Sequence, residues 1–429
     1  MSDRTLKGSV LLREPPLGAG ANEPEGIVLN RISIPLSVFE RATFIMGEPG
    51  MGKTYLLKQM ADVIIPIAEK SGDNVFIFAA KDDLIERYWK PGDIVISIHS
   101  DDPAAGWNLI KELSCSRDPY ITLIDMADML YYDQRSQMQP FYYLVPQDIF
   151  VRSVMHLYEY AQKKDITIDN YDLKYFFDDT TVQGKEGSPG YLEYAQKYPV
   201  FAPLLDYFGN PRSDMTLGLL SELRLMVSRT FIGGFATQCG TFSAIETVRT
   251  GGHRVFLKYD YTSGQQASRR VLSVILSLLL KEASGSFCGH RNWFLIDEFG
   301  LLPRLEDNLL ANAIAFGREY GLRLICATQS AAQLRTAYEN ETEAATLLSL
   351  FPNVISFRVN DPFSRTIVTG RYGDARIACS YLKHDHKPET ITLTEPVIHD
   401  SEFTKLGKGD AIFCMPELSK DPFIYHGIS

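Results

Sequence analysis

Gly47-Glu48-Pro49-Gly50-Met51-Gly52-Lys53-Thr54 fits the pattern G-x-x-x-x-G-K-[ST], and its residue types suit the binding of a triphosphate. Glycines at 47, 50 and 52 let the backbone wrap tightly, so that successive N–H groups turn toward phosphate oxygens. A helix beginning near Lys53 adds the positive end of its dipole. In such a loop the lysine reaches the β- and γ-phosphates and the Thr54 hydroxyl ligates Mg²⁺. Tyr55 follows in the first helical turn, so the expected nucleotide contacts run from Gly47 to Tyr55. The competing reading is a glycine-rich turn that matches by chance. A second constellation, Asp297-Glu298, closes the apolar run Trp293-Phe294-Leu295-Ile296. Asp297 is expected to hold Mg²⁺ through water, and Glu298 to orient and deprotonate the attacking water as a general base. Acid pairs at strand ends are common, but a preceding phosphate loop in the same chain, in the correct order, makes this pair specific.

Two further side chains join them. Gln329 follows the run Leu322–Thr328, and ligands of open α/β sheets sit beyond the carboxyl ends of the strands. That places its amide near the γ-phosphate, to sense it or to position water; the alternative is a loop glutamine facing solvent. Arg318 precedes that strand. It either pairs with an acid on its own surface or reaches a neighbouring subunit's ATP as an arginine finger.

Alternating strands and helices must carry these residues. Thr43–Met46 runs into the loop, and apolar positions after Lys53 recur at helical spacing to about residue 69. Asn74–Ala79, Asp93–Ile98, Arg254–Tyr259, Trp293–Ile296, Leu322–Ala327 and Asn353–Phe357 read as further strands, with helices over about 264–284 and 305–319. This alternation predicts a doubly wound α/β sheet. Thr390–Leu393, Asp410–Phe413 and Phe423–Tyr425 are expected to finish it. Between about 114 and 235 the period becomes helical, with helices over about 118–131, 146–163 and 213–229 and polar loops such as Gln183–Gly190. The expected organisation is an N-terminal arm and edge strand (1–40), a nucleotide-binding domain in two parts (41–113 and 236–429), and an all-α domain inserted at 114–235. Residues 1–26 read as a flexible arm, from the cluster Gly18, Gly20, Asn22, Pro24 and Gly26.

A chain of 429 residues is too long for one simple core. Its 45% hydrophobic and 22% charged residues are ordinary for a soluble globular protein. A net charge of −10 argues against coating of DNA by the whole surface but leaves room for a local basic channel. The six cysteines form no C-x-x-C pair and no metal-ligand spacing, and are expected to be reduced thiols in a cytoplasmic protein. The longest apolar run, Val271–Leu280, is too short to span a bilayer and reads as a buried helix.

Four stretches together resemble the TraD/TraG-type coupling proteins of type IV secretion and conjugation systems. They are the loop Gly47–Thr54, Lys81-Asp82-Asp83 with Gly106–Leu113, the long segment from Phe294 through Arg323 to Leu334, and Gly409–Phe413. The resemblance implies a RecA-like P-loop ATPase core with an inserted all-α domain, assembled as a homohexameric ring. It implies ATP and Mg²⁺, DNA pumping, and delivery of a relaxase–DNA complex or another secreted protein to the channel components at the inner face of the cell membrane. By position it assigns Lys53, Thr54, Asp297, Glu298 and Gln329 to the ATP site and makes Arg318 the trans-acting arginine. This chain lacks the two membrane helices with which the family usually begins, so membrane contact is expected through a partner or a missing anchor. It also has Ala79-Ala80 where the family usually has Asp-Pro. Two other functions compete: a substrate receptor that docks protein effectors without pumping DNA, and an FtsK/HerA-like translocase.

Overall fold

The structure is a computed structural model and describes residues 4–16, 26–29, 32–132, 138–181, 190–208, 210, 213–302, 305, 308–337, 341–382 and 388–427. Its strands, in chain order, are β1 (Arg4–Lys7), β2 (Gly26–Leu29), β3 (Ile32–Pro35), β4 (Thr43–Met46), β5 (Asn74–Ala79), β6 (Ile94–Ile96) and β7 (Arg254–Lys258). They continue with β8 (Asn292–Ile296), β9 (Leu322–Thr328), β10 (Asn353–Ser356), β11 (Asp374–Leu382), β12 (Pro388–Pro396), β13 (Ala411–Cys414) and β14 (Phe423–Tyr425). The chain divides into two compact units, Met1–Phe78 with Ala283–Arg304 and Leu310–Ser429, and Ala79–Glu282 with Leu305–Leu309.

In the first unit, strands lie side by side in the order β14-β13-β10-β4-β9-β8-β5. From β10 to β5 every neighbouring pair is parallel, and β13 and β14 add an antiparallel edge. Every residue of β4, β8, β9 and β10 is buried, as continuous apolar runs require when helices cover both faces of a sheet. Helix Lys53–Ser71 buries Leu56, Leu57, Met60, Ala61, Ile64, Ile65 and Ala68, one face at helical spacing, and ends at Gly72 in the left-handed region.

Two expectations for this unit are corrected. Part of the presumed flexible arm is ordered: Arg4–Lys7 pairs antiparallel with β11, while residues 17–25, with Gly18, Gly20, Asn22 and Pro24, lie outside the described residues. Thr390–Leu393 does not finish the large sheet. It belongs to β12, in a separate sheet of order β1-β11-β12. Its alternation of Thr390, Ile391, Thr392 and Leu393 suits an antiparallel ribbon with a solvated face, and Ile391 and Leu393 are each 37% exposed.

The second unit is mostly helical. Helices Pro119–Leu130, Pro140–Lys164 and Asp214–Thr230 occupy the predicted places, the second starting six residues before its expected bound. Of the loop predicted at Gln183–Gly190, residues 183–189 lie outside the described residues, and Gly190 opens a short helix. A parallel pair, β6 with β7, belongs to the same unit. The helical stretch leaves the chain near residue 113 and returns near 236, and its two ends are stitched together. The fully buried Glu112 carboxylate accepts hydrogen bonds from Trp107 Nε1 (3.0 Å), Ser243 Oγ (2.7 Å), Ala244 N (2.6 Å) and Ile245 N (3.1 Å). Burial pushes this carboxyl's pKa up, and the donated hydrogen bonds oppose the shift. Asn108 caps helix Leu109–Cys115 and donates to Gly240 O at 3.1 Å.

The six cysteines are free thiols, and no helix among the described residues is long and apolar enough to cross a membrane.

In the first unit the N-terminal segment is also tied down by charge. Arg13 is ion-paired with Glu402, its Nη2 donating to Oε1 at 3.2 Å, and Lys405 Nζ donates to the same oxygen at 2.8 Å. The Arg13 bond in particular holds the Glu402 carboxyl down at about 2, below its ordinary 4.5. A depressed carboxylate stabilises the fold above its unfolded pKa, and that contribution fades as pH falls from 4.5 toward about 2. Because Arg13 is largely exposed, the loss should be about 2 kcal/mol rather than the full linkage value. Urea unfolding across this window should show a flatter pH dependence in Glu402→Gln than in the parent; parallel curves would refute the assignment.

Candidate active site

The register of the parallel strands brings the expected chemical residues to one edge. Met46 is level with Thr328 and with Ser356, and Phe44 is level with Cys326, which is itself level with Ile296. The residues that follow these strands therefore emerge in a row: Gly47, Asp297 with Glu298, Gln329, and Phe357 with Arg358.

The glycine loop is pinned on several sides. Phe357 N donates to Met46 O (2.8 Å), Glu48 N to Arg358 O (2.9 Å), and Gly409 N to Met51 O (2.9 Å). Gly50 and Gly52 take φ of 77° and 118°, the left-handed region that favours glycine. A Cβ on Gly47 would stand 2.5 Å from Phe357 Cβ, whereas one on Gly50 would meet nothing within 4 Å, so the loop is packed behind and open at its crest. Pro49 and Gly50 form that exposed crest, Met51 is buried beneath it, and Tyr55 is exposed on the first turn of the helix. Lys53 is buried, and its ammonium donates to Gly47 O and to Glu48 O (3.0 Å). A cation thus lies inside a ring of backbone, where a triphosphate needs one.

Thr54 Oγ1 donates to Asp297 Oδ1 at 3.1 Å. Among the described residues no group of three or more His, Cys, Asp or Glu could hold a metal by itself. A threonine hydroxyl beside one carboxylate is an incomplete set that fits Mg²⁺, an ion usually completed by water and substrate phosphates.

Glu298 is 9% exposed and held by its neighbours on β9. Its Oε1 accepts from Thr328 Oγ1 (3.1 Å) and Gln329 N (3.3 Å), and its Oε2 accepts from Gln329 Nε2 (3.1 Å). Gln329 is therefore no free solvent-facing side chain: its amide orients the expected base.

Arg318 is not brought to this cluster. It sits in the turn Gly317–Tyr320 before β9, and Nη2 donates to Glu40 Oε2 at 3.0 Å. The seven residues of β9 separate that turn from the Thr328 tip, about 20 Å at the rise of an extended strand.

Two residues of the site were not singled out from the sequence, and Gly409 was read there only as the start of a resembling stretch. Phe357 backs Gly47, and Arg358 Nε donates to Glu48 Oε2 at 3.1 Å. Both sit just past an apolar strand, the same positional signal that marks Gln329. Gly409 (φ +86°) supplies the clamp on Met51, which gives a structural role to the Gly409–Phe413 stretch.

Comparison with known proteins bears on the fold and the family. A search of curated proteins finds no match. The chain shares its fold, at 18% identity and a TM-score of 0.75 over 99% of this chain and 93% of the other, with the bacterial conjugative coupling protein TrwBdeltaN70 in its unbound monoclinic form. It is similar at 18% identity, with a TM-score of 0.73 over 99% and 94% of the two chains, to the plasmid coupling protein TrwB in complex with the non-hydrolysable ATP analogue ADPNP. A more distant likeness, at 13% identity, a TM-score of 0.55 and 95% and 97% coverage, is to VirB4 of Thermoanaerobacter pseudethanolicus. The fold is thus a RecA-like P-loop core with an all-α domain. The sequence profile of the type IV secretion-system coupling protein DNA-binding domain matches residues 27–187 and 213–395, and the chain belongs to that family.

Proposed function

We propose that this protein is an ATP-driven coupling motor that recruits DNA and moves it to a type IV secretion channel during conjugation. The observation that carries the reading is the row of Lys53, Thr54–Asp297 and Glu298–Gln329 along one sheet edge in a member of the coupling-protein family. The similar TrwB structures are described with ADPNP and with ADP and Mg²⁺.

The roles follow from position and chemistry. The backbone N–H groups of Gly47–Thr54 cradle the phosphates, and Lys53 turns its ammonium from the loop carbonyls onto them. Thr54 and, through water, Asp297 would hold Mg²⁺, which would supply charge that neutralises the phosphates. Glu298, kept in place by Thr328 and Gln329, orients the attacking water and takes its proton. Gln329 also lies where it can sense the γ-phosphate, so hydrolysis alters the grip on Glu298. Residues 114–235 form the inserted all-α domain in this reading. The working form is a homohexamer recruited to the inner face of the membrane through a partner, with a relaxase–DNA complex as cargo.

Arg318 acts in trans in such a ring. The length of β9 excludes it from its own chain's cluster, and its Glu40 partner is a partly exposed surface acid from which it can swing free.

One observation favours a second reading, a receptor for protein cargo: exposed aromatics such as Tyr160, Tyr171 and Tyr175 stud the helical unit. DNA-stimulated ATP hydrolysis separates the two, because a receptor should hydrolyse at a rate indifferent to DNA.

Lys53→Ala and Glu298→Gln should each lower that hydrolysis by about 10²-fold or more, with Glu298→Gln still binding nucleotide. Parent-rate turnover in Glu298→Gln would remove the base assignment. Mixing Arg318→Ala with Glu298→Gln subunits should restore activity at the one interface that carries both native groups. No recovery at any ratio would count against the trans role.

A further inference from the structure

Within the second unit a recess of about 490 Å³ opens between the end of helix Asp214–Thr230, the end of β7 and the start of the helix from Gln265. This is within the usual range of ligand pockets, about 300–1,000 Å³. Among the described residues its charged lining is Arg229, Arg269 and Arg270 against the acid Glu222, a local excess of positive charge in a chain whose net charge is −10. Arg270 is buried, Arg269 is half-buried and Arg229 is exposed. The Arg269 Nε is buried and makes no hydrogen bond among the described residues. A buried guanidinium N–H without an acceptor is costly, and the acceptor it most favours is an anionic oxygen, which arginine meets in a planar, two-pronged geometry.

We propose that this recess is a phosphate site that grips the backbone of a single nucleic-acid strand. The inference rests on the DNA reading given above and adds the residues that make the contact. Arg229 and Arg269 pair with a phosphodiester, and Arg270 supplies the fixed charge behind them. A strand fits better than a free nucleotide for a geometric reason. The rim is exposed on both sides, at Leu225 and Arg229 on one helix and at Gln265 on the other, so a polymer can enter and leave. Among the described residues the one aromatic ring in the lining, Tyr259, is buried and stacks edge-on with Tyr261 at 5.1 Å, so it offers no open slot for a purine.

The test uses the full chain, a fluorescent single-stranded oligonucleotide and a titration of affinity against salt. Each phosphate neutralised on a single strand contributes about −0.7 to the slope of log affinity on log salt. Arg229→Gln/Arg269→Gln should flatten the slope by about 0.7, the share of the one phosphate they grip. Arg229→Lys/Arg269→Lys should keep it, because charge is retained. Unfolding midpoints close to the parent's establish that both variants are folded. An unchanged slope in the glutamine pair overturns the pocket while leaving the motor reading intact. A parent chain that fails to bind the strand at any salt overturns both. Loss of a second equivalent of bound nucleotide in the glutamine pair, with strand binding unaltered, overturns the strand in favour of free nucleotide.

Discussion

A row of parallel strands that end together is the constraint on which the site depends. Hydrogen bonding across a parallel sheet ties each residue to one partner on the next strand, so the chain has no freedom to choose which tip meets which. With Met46 level with Thr328 and Cys326 level with Ile296, the glycine loop, the acid pair and the glutamine emerge together. A slip of one residue in β8 would turn Asp297 to the opposite face and separate it from Thr54. The 3.1 Å bond between Thr54 and Asp297 is the local sign that the register is correct.

The loop itself depends on what lies behind it. Successive inward N–H groups carry unfavourable like dipoles and left-handed backbone, and such a segment persists only where its surroundings over-determine it. Here the surroundings are the segment past β10 and the turn at Gly409, which hold Met46, Glu48 and Met51 through backbone hydrogen bonds. Arg358 adds a side-chain tie to Glu48, and Phe357 fills the space that a side chain at position 47 would need. The cradle is therefore built by segments 310 to 358 residues apart in the chain, which explains why its own sequence is short.

The second unit solves a different problem. A long helical excursion from an α/β chain must leave and return through one neck, or it frays. Glu112 closes that neck by accepting from a tryptophan, a serine and two backbone amides in a fully buried setting. A buried carboxylate without these donors would be costly; with them it becomes a rigid stitch. The arginine-lined recess lies in this same unit.

What could be read from residues alone was the set of elements with strong periodicity and the chemistry of the tips. Continuous apolar runs identify β4, β8 and β9 because strands buried on both faces need them. The spacing of glycines around Lys53 identifies a phosphate loop because few other structures require it. Local patterns do not carry partner identity, however. Thr390–Leu393 has strand character, yet its place in a separate ribbon with Arg4–Lys7 depends on pairing with residues far away in sequence. Gln329 was a plausible tip residue, but its grip on Glu298 exists only because β8 and β9 are neighbours. The residue types and their order thus determined that a phosphate-loop pattern and an acid pair each follow an apolar strand. Only the tertiary structure decided that Phe357, Arg358 and Gly409 hold the loop, that Arg318 stands at the opposite end of its strand, and that three arginines share one recess. Those relations are set by packing and register between distant segments, and a linear pattern has no term for either.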